Sequence, residues 1–177
     1  MKRTNVLIVM AIFGVGSMVF GEDKILFDGN QPAWSNTKLH IAPDENAENT
    51  VLFWAGASKG SGLYTVPTDK DWSAYTAISF KMYANEADGH EIMVVCESNP
   101  EGAGEGNYYF KRIKIDWKGW KTITIPFEEF GVSRSVLGWS SITGFSICSN
   151  GWGCEPNPHA EYYIDAVKLV AGTEAAK

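Results

Sequence analysis

The sequence predicts an all-β protein, an antiparallel β-sandwich with jelly-roll connections. Helical periodicity is almost absent, and short runs of β-branched and aromatic residues alternate with clusters of Gly, Asn, Asp and Pro. Nine such runs occur without a crossover helix, which favours two packed antiparallel sheets. A single helical turn is expected only at Phe127–Phe130. The predicted strands are Lys24–Phe27, Thr50–Ala55, Gly62–Thr65, Ala77–Tyr83, Glu91–Glu97, Tyr108–Ile115, Lys121–Pro126, Ile142–Ser149 and Glu161–Val170.

Alternation within a strand predicts which side chains face the core. In the run from 91 to 97, Ile92, Val94 and Cys96 share the inward face. Met93 and Val95 then lie on the outer face, where apolar side chains indicate either a covered surface or a binding surface. The same reasoning places Glu97 and Arg112 on one outer face if their strands are neighbours.

Residues 1–21 are predicted to be a secretory signal peptide and are excluded from the fold. Lys2 and Arg3 precede a charge-free apolar run, Val6–Phe20, which is short for a membrane span of about 20 residues. The first cysteine is Cys96, so no lipid-attachment cysteine stands at the expected cleavage point. We therefore expect a secreted or periplasmic protein, not inserted in a membrane after cleavage, with one domain from residue 22 to residue 177.

The charge balance disfavours nucleic acid as a partner. The chain has 15 basic and 21 acidic residues, a net charge of −6. Loss of Lys2 and Arg3 with the signal peptide would leave 13 basic residues and a charge of −8. An acidic surface repels phosphate backbones, whereas a neutral sugar is unaffected.

Three cysteines in an exported protein allow one disulfide at most. Cys148 and Cys154 bracket a short turn-like loop, and a disulfide between them is expected. A bond between Cys96 and Cys148 is the alternative, because both cysteines lie at strand ends. Without that bond, Cys96 is simply a buried thiol in an apolar strand.

The order of aromatic and glycine motifs in the second half of the chain resembles a known family. The motifs are Asp71-Trp72-Ser73, Tyr108-Tyr109-Phe110, Asp116-Trp117 with Gly119-Trp120-Lys121, Gly138-Trp139-Ser140 and Tyr163-Ile164-Asp165. Their order resembles that of the galactose-binding-like jelly rolls that occur as carbohydrate-binding modules and as amino-terminal domains of bacterial polysaccharide lyases and glycoside hydrolases. The resemblance implies non-catalytic binding of a poly- or oligosaccharide.

The resemblance also implies a structural calcium ion where the first and last strands meet. The late aspartate of the family pattern matches Asp165, and its acidic partner would be Asp28 or, failing that, Asp23. Glu48 could add a further oxygen to the six to eight that calcium prefers. The alternative is that Asp165 only forms hydrogen bonds at the edge of the sandwich.

The candidate sugar-binding residues combine an aromatic ring in a loop with polar side chains near it. Trp152 lies between two glycines, and a rigid exposed indole there would stack on a sugar at low entropic cost. Trp54 and Tyr108 are the next aromatic candidates. The polar candidates, which would form hydrogen bonds with sugar hydroxyls, are Glu97, Asn99, Arg112 and Asn150.

Catalytic signatures are weak in the sequence. The acidic residues lie mostly in glycine-rich or polar loops, and His40, His90 and His159 lack the spacing of metal ligands. The sequence therefore predicts a protein that is not an enzyme. Two alternatives remain: a structural or adhesion protein that uses the same fold for protein–protein contacts, and a small polysaccharide lyase or glycoside hydrolase.

Overall fold

The structure is a computed structural model that describes residues 21–43, 49–100 and 106–172. Eleven strands lie in these ranges, together with two 3₁₀ turns at Ala57–Lys59 and Phe127–Glu129. The strands, in chain order, are β1 (Lys24–Phe27), β2 (Thr37–Ile41), β3 (Thr50–Trp54), β4 (Gly62–Thr65), β5 (Tyr75–Ala84), β6 (Glu91–Glu97), β7 (Tyr108–Lys114), β8 (Gly119–Pro126), β9 (Gly131–Ser133), β10 (Gly144–Cys148) and β11 (Tyr162–Ala171).

The strands form two antiparallel sheets. The six-stranded sheet has the order β2-β3-β11-β5-β8, and β1 also pairs with β11. The five-stranded sheet has the order β4-β10-β6-β7-β9. This is the predicted β-sandwich with jelly-roll connections.

The core lies between the two sheets and is built from the inward face of each strand. Ile92, Val94 and Cys96 of β6 point into it, as alternation predicts. Large aromatic side chains fill the remaining volume; the buried ones include Phe27, Trp54, Trp72, Phe80 and Phe145. A core of this size provides most of the favourable free energy of folding.

Two strands were not predicted, and both are at sheet edges. β2 is five residues long with four exposed side chains, and β9 has only three residues. Edge strands are half-solvated, so their sequence carries little hydrophobic alternation to detect. The expected helical turn is confirmed as the 3₁₀ turn Phe127–Glu129.

The predicted signal peptide falls almost entirely outside the described residues, so its cleavage and the domain boundary at residue 22 stay predictions. Within the described ranges, no helix has the length and apolar character needed to cross a membrane.

Candidate carbohydrate-binding site

The outer face of the five-stranded sheet brings several of the candidate residues together. Gly144 of β10, Glu97 of β6 and Tyr108 of β7 are direct cross-strand partners on this face. Tyr64 of β4 lies in the next row, opposite Ser146 of β10. These side chains therefore form a line across the strands. The small β10 residues Gly144 and Ser146 lie between the side chains of Tyr64 and Glu97.

A shallow pocket of about 610 Å³ lies where Tyr64 and Glu97 meet. A Cβ atom at Gly144 would lie only 2.8 Å from the Tyr64 hydroxyl and 3.0 Å from Glu97 Oε2, so both side chains converge over that glycine. A larger residue at position 144 would displace them. The described lining of the pocket is Tyr64, Lys70, Glu97, Asn99, Pro100, Leu137, Ser141 and Thr143.

Asn99 connects the loops around this pocket. Its Oδ1 accepts a hydrogen bond from the backbone N–H of Asn107 at 2.5 Å, and its own N–H donates to Thr143 Oγ1 at 3.3 Å. Its Nδ2 lies 3.4 Å from Glu97 Oε2. The side-chain oxygen of Asn99 is thus already hydrogen-bonded. Its side-chain NH2 group can still orient the Glu97 carboxylate or donate a hydrogen bond to a ligand.

Burial changes the protonation behaviour of the two central groups. Partial burial raises the pKa of the Glu97 carboxyl above its usual value. Burial, followed by the nearby charge of Glu97, raises the pKa of the Tyr64 phenol. Tyr64 therefore remains a protonated hydrogen-bond donor at all physiological pH values.

The loop that carries Trp152 folds over the other side of the same sheet face. Gly151, Trp152 and Gly153 have consecutive positive φ angles of 81°, 51° and 82°. Such a conformation is costly for tryptophan, and non-glycine residues held this way cluster at functional sites. Trp152 is 41% exposed, and its indole Nε1 donates to the Tyr108 hydroxyl at 2.7 Å.

Arg112 holds this loop on the sheet. Its Nη1 donates to Glu91 Oε2 at 2.6 Å, and its Nη2 donates to the carbonyl oxygen of Trp152. The bond to Glu91, the largest influence on this group, raises the pKa of Arg112. Arg112 therefore positions Trp152. Its strand is the neighbour of the strand of Glu97, which was the condition for the two side chains to share a face, although Arg112 pairs with Met93.

The apolar residues on the outer face form a small second core. Met93, Val95 and Cys154 are buried together there, and Tyr108 and Phe110 pack against them. Of the two interpretations open from the sequence, a covered surface is therefore correct for Met93 and Val95.

Two predicted ligand residues lie elsewhere. Trp54 is only 1% exposed in the main core and donates its Nε1 to the Ser61 carbonyl at 3.0 Å, so its prediction as a stacking residue is wrong. The reason is that Trp54 ends β3 with its side chain on the inward face. Asn150 is exposed and lies beside Gly60, just before the first residue of β4. The Glu97 pocket lies near the other end of that strand.

Tyr64 was missed by the sequence analysis. Alternation with the inward-facing Leu63 would have placed it on an outer face. The sequence did not reveal that its strand joins the sheet that carries Glu97, because sheet order depends on long-range pairing.

The cysteines differ from the prediction. All three are free thiols, so the structure does not contain the expected bond between Cys148 and Cys154. The two nevertheless lie in the same outer apolar cluster. Cys96 points into the main core on the opposite side of its sheet, which rules out the alternative pairing with Cys148.

The predicted calcium ligands lie near the junction of β1 and β11. Phe27 pairs with Val167 in this antiparallel pair of strands. The next residue, Asp28, therefore lies beside the bulge that follows Asp165 in β11. Asp165 is 6% exposed, accepts a hydrogen bond from Asn49 Nδ2 at 3.2 Å, and forms no ion pair with a described basic side chain.

The Asp165 carboxylate offers hard oxygen donors of the kind that calcium prefers, whereas Asp28 is exposed and its Oδ1 already accepts two hydrogen bonds from Asn30. No group of three acidic, histidine or cysteine side chains suited to a metal occurs in the described ranges, so backbone carbonyls would have to complete the shell. Glu48 lies outside the described residues.

Comparison with known families identifies the domain. The model of a carbohydrate binding domain, family 11, matches residues 16–136, more than half of the chain. The chain belongs to carbohydrate-binding family 11. The predicted resemblance to carbohydrate-binding modules of jelly-roll type is thereby confirmed. A search of curated proteins finds no match.

Solved structures with the same fold include other carbohydrate-binding modules. A family 11 module from Clostridium thermocellum, in complex with a β-1,3-1,4-mixed-linked tetrasaccharide, is 19% identical with a TM-score of 0.62, and the match covers 86% of this chain and 98% of that one. A family 30 module is 13% identical with a TM-score of 0.59, covering 85% and 99%.

The fold also occurs within larger enzymes. An exo-β-agarase is 14% identical with a TM-score of 0.55, and the match covers 84% of this family 11 chain but only 25% of the agarase. At these identities the likeness concerns the fold alone.

Proposed function

We propose that this family 11 domain binds a neutral poly- or oligosaccharide on the outer face of its five-stranded sheet. The observation that carries the proposal is the convergence of Tyr64 and Glu97 over Gly144. An aromatic ring can stack on the C–H face of a pyranose, while an adjacent carboxylate accepts hydrogen bonds from its hydroxyl groups.

Trp152 and Tyr108 provide a second aromatic element on the same face. β4 and β7 are separated by three strand spacings, or about 14 Å, so Tyr64 and Tyr108 flank a region wider than one sugar ring. A ligand that crosses the strands would contact Tyr64, then Glu97, then the Tyr108–Trp152 pair. This assignment keeps Glu97, Asn99, Tyr108 and Trp152 as ligand-contacting residues and adds Tyr64.

We propose that binding occurs without cleavage. Glycoside hydrolysis requires two carboxyl groups about 5 to 9.5 Å apart. Glu97 is the only carboxylate among the described residues that line the pocket. Its raised pKa is accounted for by partial burial.

Two further features complete the proposal. The protein would be exported by its amino-terminal segment, and Asp165 with Asp28 would hold a calcium ion. Such an ion would neutralise the buried Asp165 carboxylate and fix β1 against β11. Its role would be structural, because it would lie on the six-stranded sheet and not on the sheet that carries the proposed saccharide site. The first feature is supported by the sequence pattern, and the second by the family resemblance and by the burial of Asp165, whose carboxylate has no described basic partner.

The proposal is tested by measuring binding to an array of neutral glycans that includes β-1,3-1,4-mixed-linkage glucan. We expect binding to one related set of glycans and no release of reducing sugar from them. Tyr64→Ala should weaken binding by at least about tenfold, or 1.4 kcal/mol.

Tyr163→Ala provides the matched control, because Tyr163 is an equally half-buried tyrosine on the other sheet. Each variant must first show a cooperative thermal transition. Equal loss of binding in both variants would contradict the assignment of the site, and absence of binding to every glycan would contradict the function.

A further inference from the structure

A second groove lies on the side of the sandwich, between the edge strand β4 and strand β1. Its volume is about 450 Å³. Pro32, Trp34, Val66 and Pro67 contribute apolar surface to it, and Val66 is 57% exposed. Concave apolar surface that is open to solvent is typical of a binding site.

The side groove is adjacent to the Glu97 pocket through a single residue. Tyr64 lines both cavities, because it lies on the edge strand that separates them. A ligand in contact with the Tyr64 ring at the pocket can therefore extend past it into the groove without crossing the core.

We propose that the side groove binds the continuation of the saccharide chain whose first units lie at Glu97. This inference rests on the proposed function and adds an extended set of subsites that run across β4. The length of chain recognised is then greater than the sheet face alone would accommodate.

The chemistry of the groove suits a neutral saccharide. Lys24 is the only charged residue in the described lining of the groove, and its ammonium group is already bonded to Asp69. Hydroxyl and amide groups of Gln31, Thr65 and Thr68 stand among the apolar ones. This mixture can pair with sugar hydroxyls while apolar surface contacts the C–H faces.

Trp34 gives the groove a rigid floor. Its ring meets Phe27 and Phe145 edge to face, with centroids 5.9 and 5.8 Å apart. Unlike Trp54 and Trp72, whose indole N–H groups donate to backbone carbonyls, Trp34 has no hydrogen-bond acceptor among the described residues.

Along β6 itself, the loop that carries Trp152 and Cys154 covers Met93 and Val95. A chain that is bound at Glu97 therefore runs across the strands rather than along β6, and on the Tyr64 side it meets the β4 edge and the side groove.

Calorimetric titration with β-1,3-1,4-mixed-linkage glucan oligosaccharides tests the inference. We expect the parent protein to bind an octasaccharide at least about tenfold more tightly than a tetrasaccharide. Val66→Arg should abolish that difference by filling the groove, while leaving the tetrasaccharide affinity unchanged.

Val132→Arg is the matched control, because Val132 is 56% exposed on β9 at the other edge of the same sheet. It should alter neither affinity. Equal affinities for the two oligosaccharides in the parent would overturn the inference and leave the proposed function standing. An unchanged length dependence in Val66→Arg would do the same. No binding of either oligosaccharide, by a protein that also binds no glycan of the array, would overturn both.

Discussion

Trp152 and Tyr108 form a hydrogen-bonded aromatic pair on the outer face of the five-stranded sheet. The indole Nε1 lies 2.7 Å from the Tyr108 hydroxyl, and the rings meet edge to face at 84° with centroids 5.6 Å apart. Because Tyr108 is also the cross-strand partner of Glu97, this pair connects the loop at 150–154 to the carboxylate of the proposed site.

Removing the Tyr108 hydroxyl should weaken binding through Trp152. One hydrogen bond of this kind contributes about 0.5–1.5 kcal/mol, so Tyr108→Phe should lower glycan affinity by roughly two- to tenfold. Trp152→Ala should lower it further, and Tyr108→Phe should then add nothing in the Trp152→Ala background. Calorimetric titration measures all three values, with Tyr163→Phe as control. Additive losses would show that the two residues act separately.

The ionised Glu97 carboxylate should lower the free energy of unfolding of the domain while it favours binding of the saccharide. Its folded-state pKa is raised above the ordinary value of 4.5, so the folded protein binds the proton more tightly than the unfolded chain does. The contribution of this group to the free energy of unfolding therefore falls as pH rises from about 4.5 through the raised pKa.

Glu97→Gln should consequently raise the Tm at pH 7 and have little effect at pH 4, where the carboxyl is protonated in the folded protein and mostly protonated in the unfolded chain. The same variant should bind glycans more weakly, because a neutral amide is a weaker acceptor than a carboxylate. Thermal melts at the two pH values and titrations at pH 7 check this. A lower Tm at pH 7 would contradict the burial argument.

Cys96 should be the least reactive of three free thiols. It is fully buried in the main core, and burial raises its pKa, which suppresses the reactive thiolate. A thiol-reactive chromogenic reagent should modify three cysteines in denaturant and leave Cys96 unmodified in the native protein. Only one reactive thiol in denaturant would show that Cys148 and Cys154 are bonded in the isolated protein after all.

Removal of calcium should destabilise the domain if Asp165 helps to hold the ion. An ion at one hundred times its dissociation constant adds about 2.7 kcal/mol, which corresponds to roughly 5–10 °C in Tm for a domain of this size. A chelator should lower the Tm of the parent by that amount, leave Asp165→Asn unaffected, and act normally on the control Asp69→Asn. A parent Tm that ignores the chelator would contradict the calcium site.

Local pattern was sufficient to predict most of the fold. Alternation placed Ile92, Val94 and Cys96 in the core and Met93, Val95 and Arg112 on the outer face, because each strand of a sandwich has one face toward the main core. It also singled out Trp152, whose flanking glycines permit the positive φ angles that the structure shows. The short edge strand β9 carries no such pattern and was not predicted.

The sequence by itself determined the fold class, the resemblance to carbohydrate-binding modules and the inward or outward face of most strand residues, because these follow from period-two patterning and from motif order. Only the tertiary structure decided which outward residues lie together. Tyr64 and Glu97 are 33 positions apart in the numbering and meet because β4 and β6 both pair with β10, whereas Trp54 was removed from the site by burial. Sheet order is set by the summed packing of distant segments, which no local window of sequence contains.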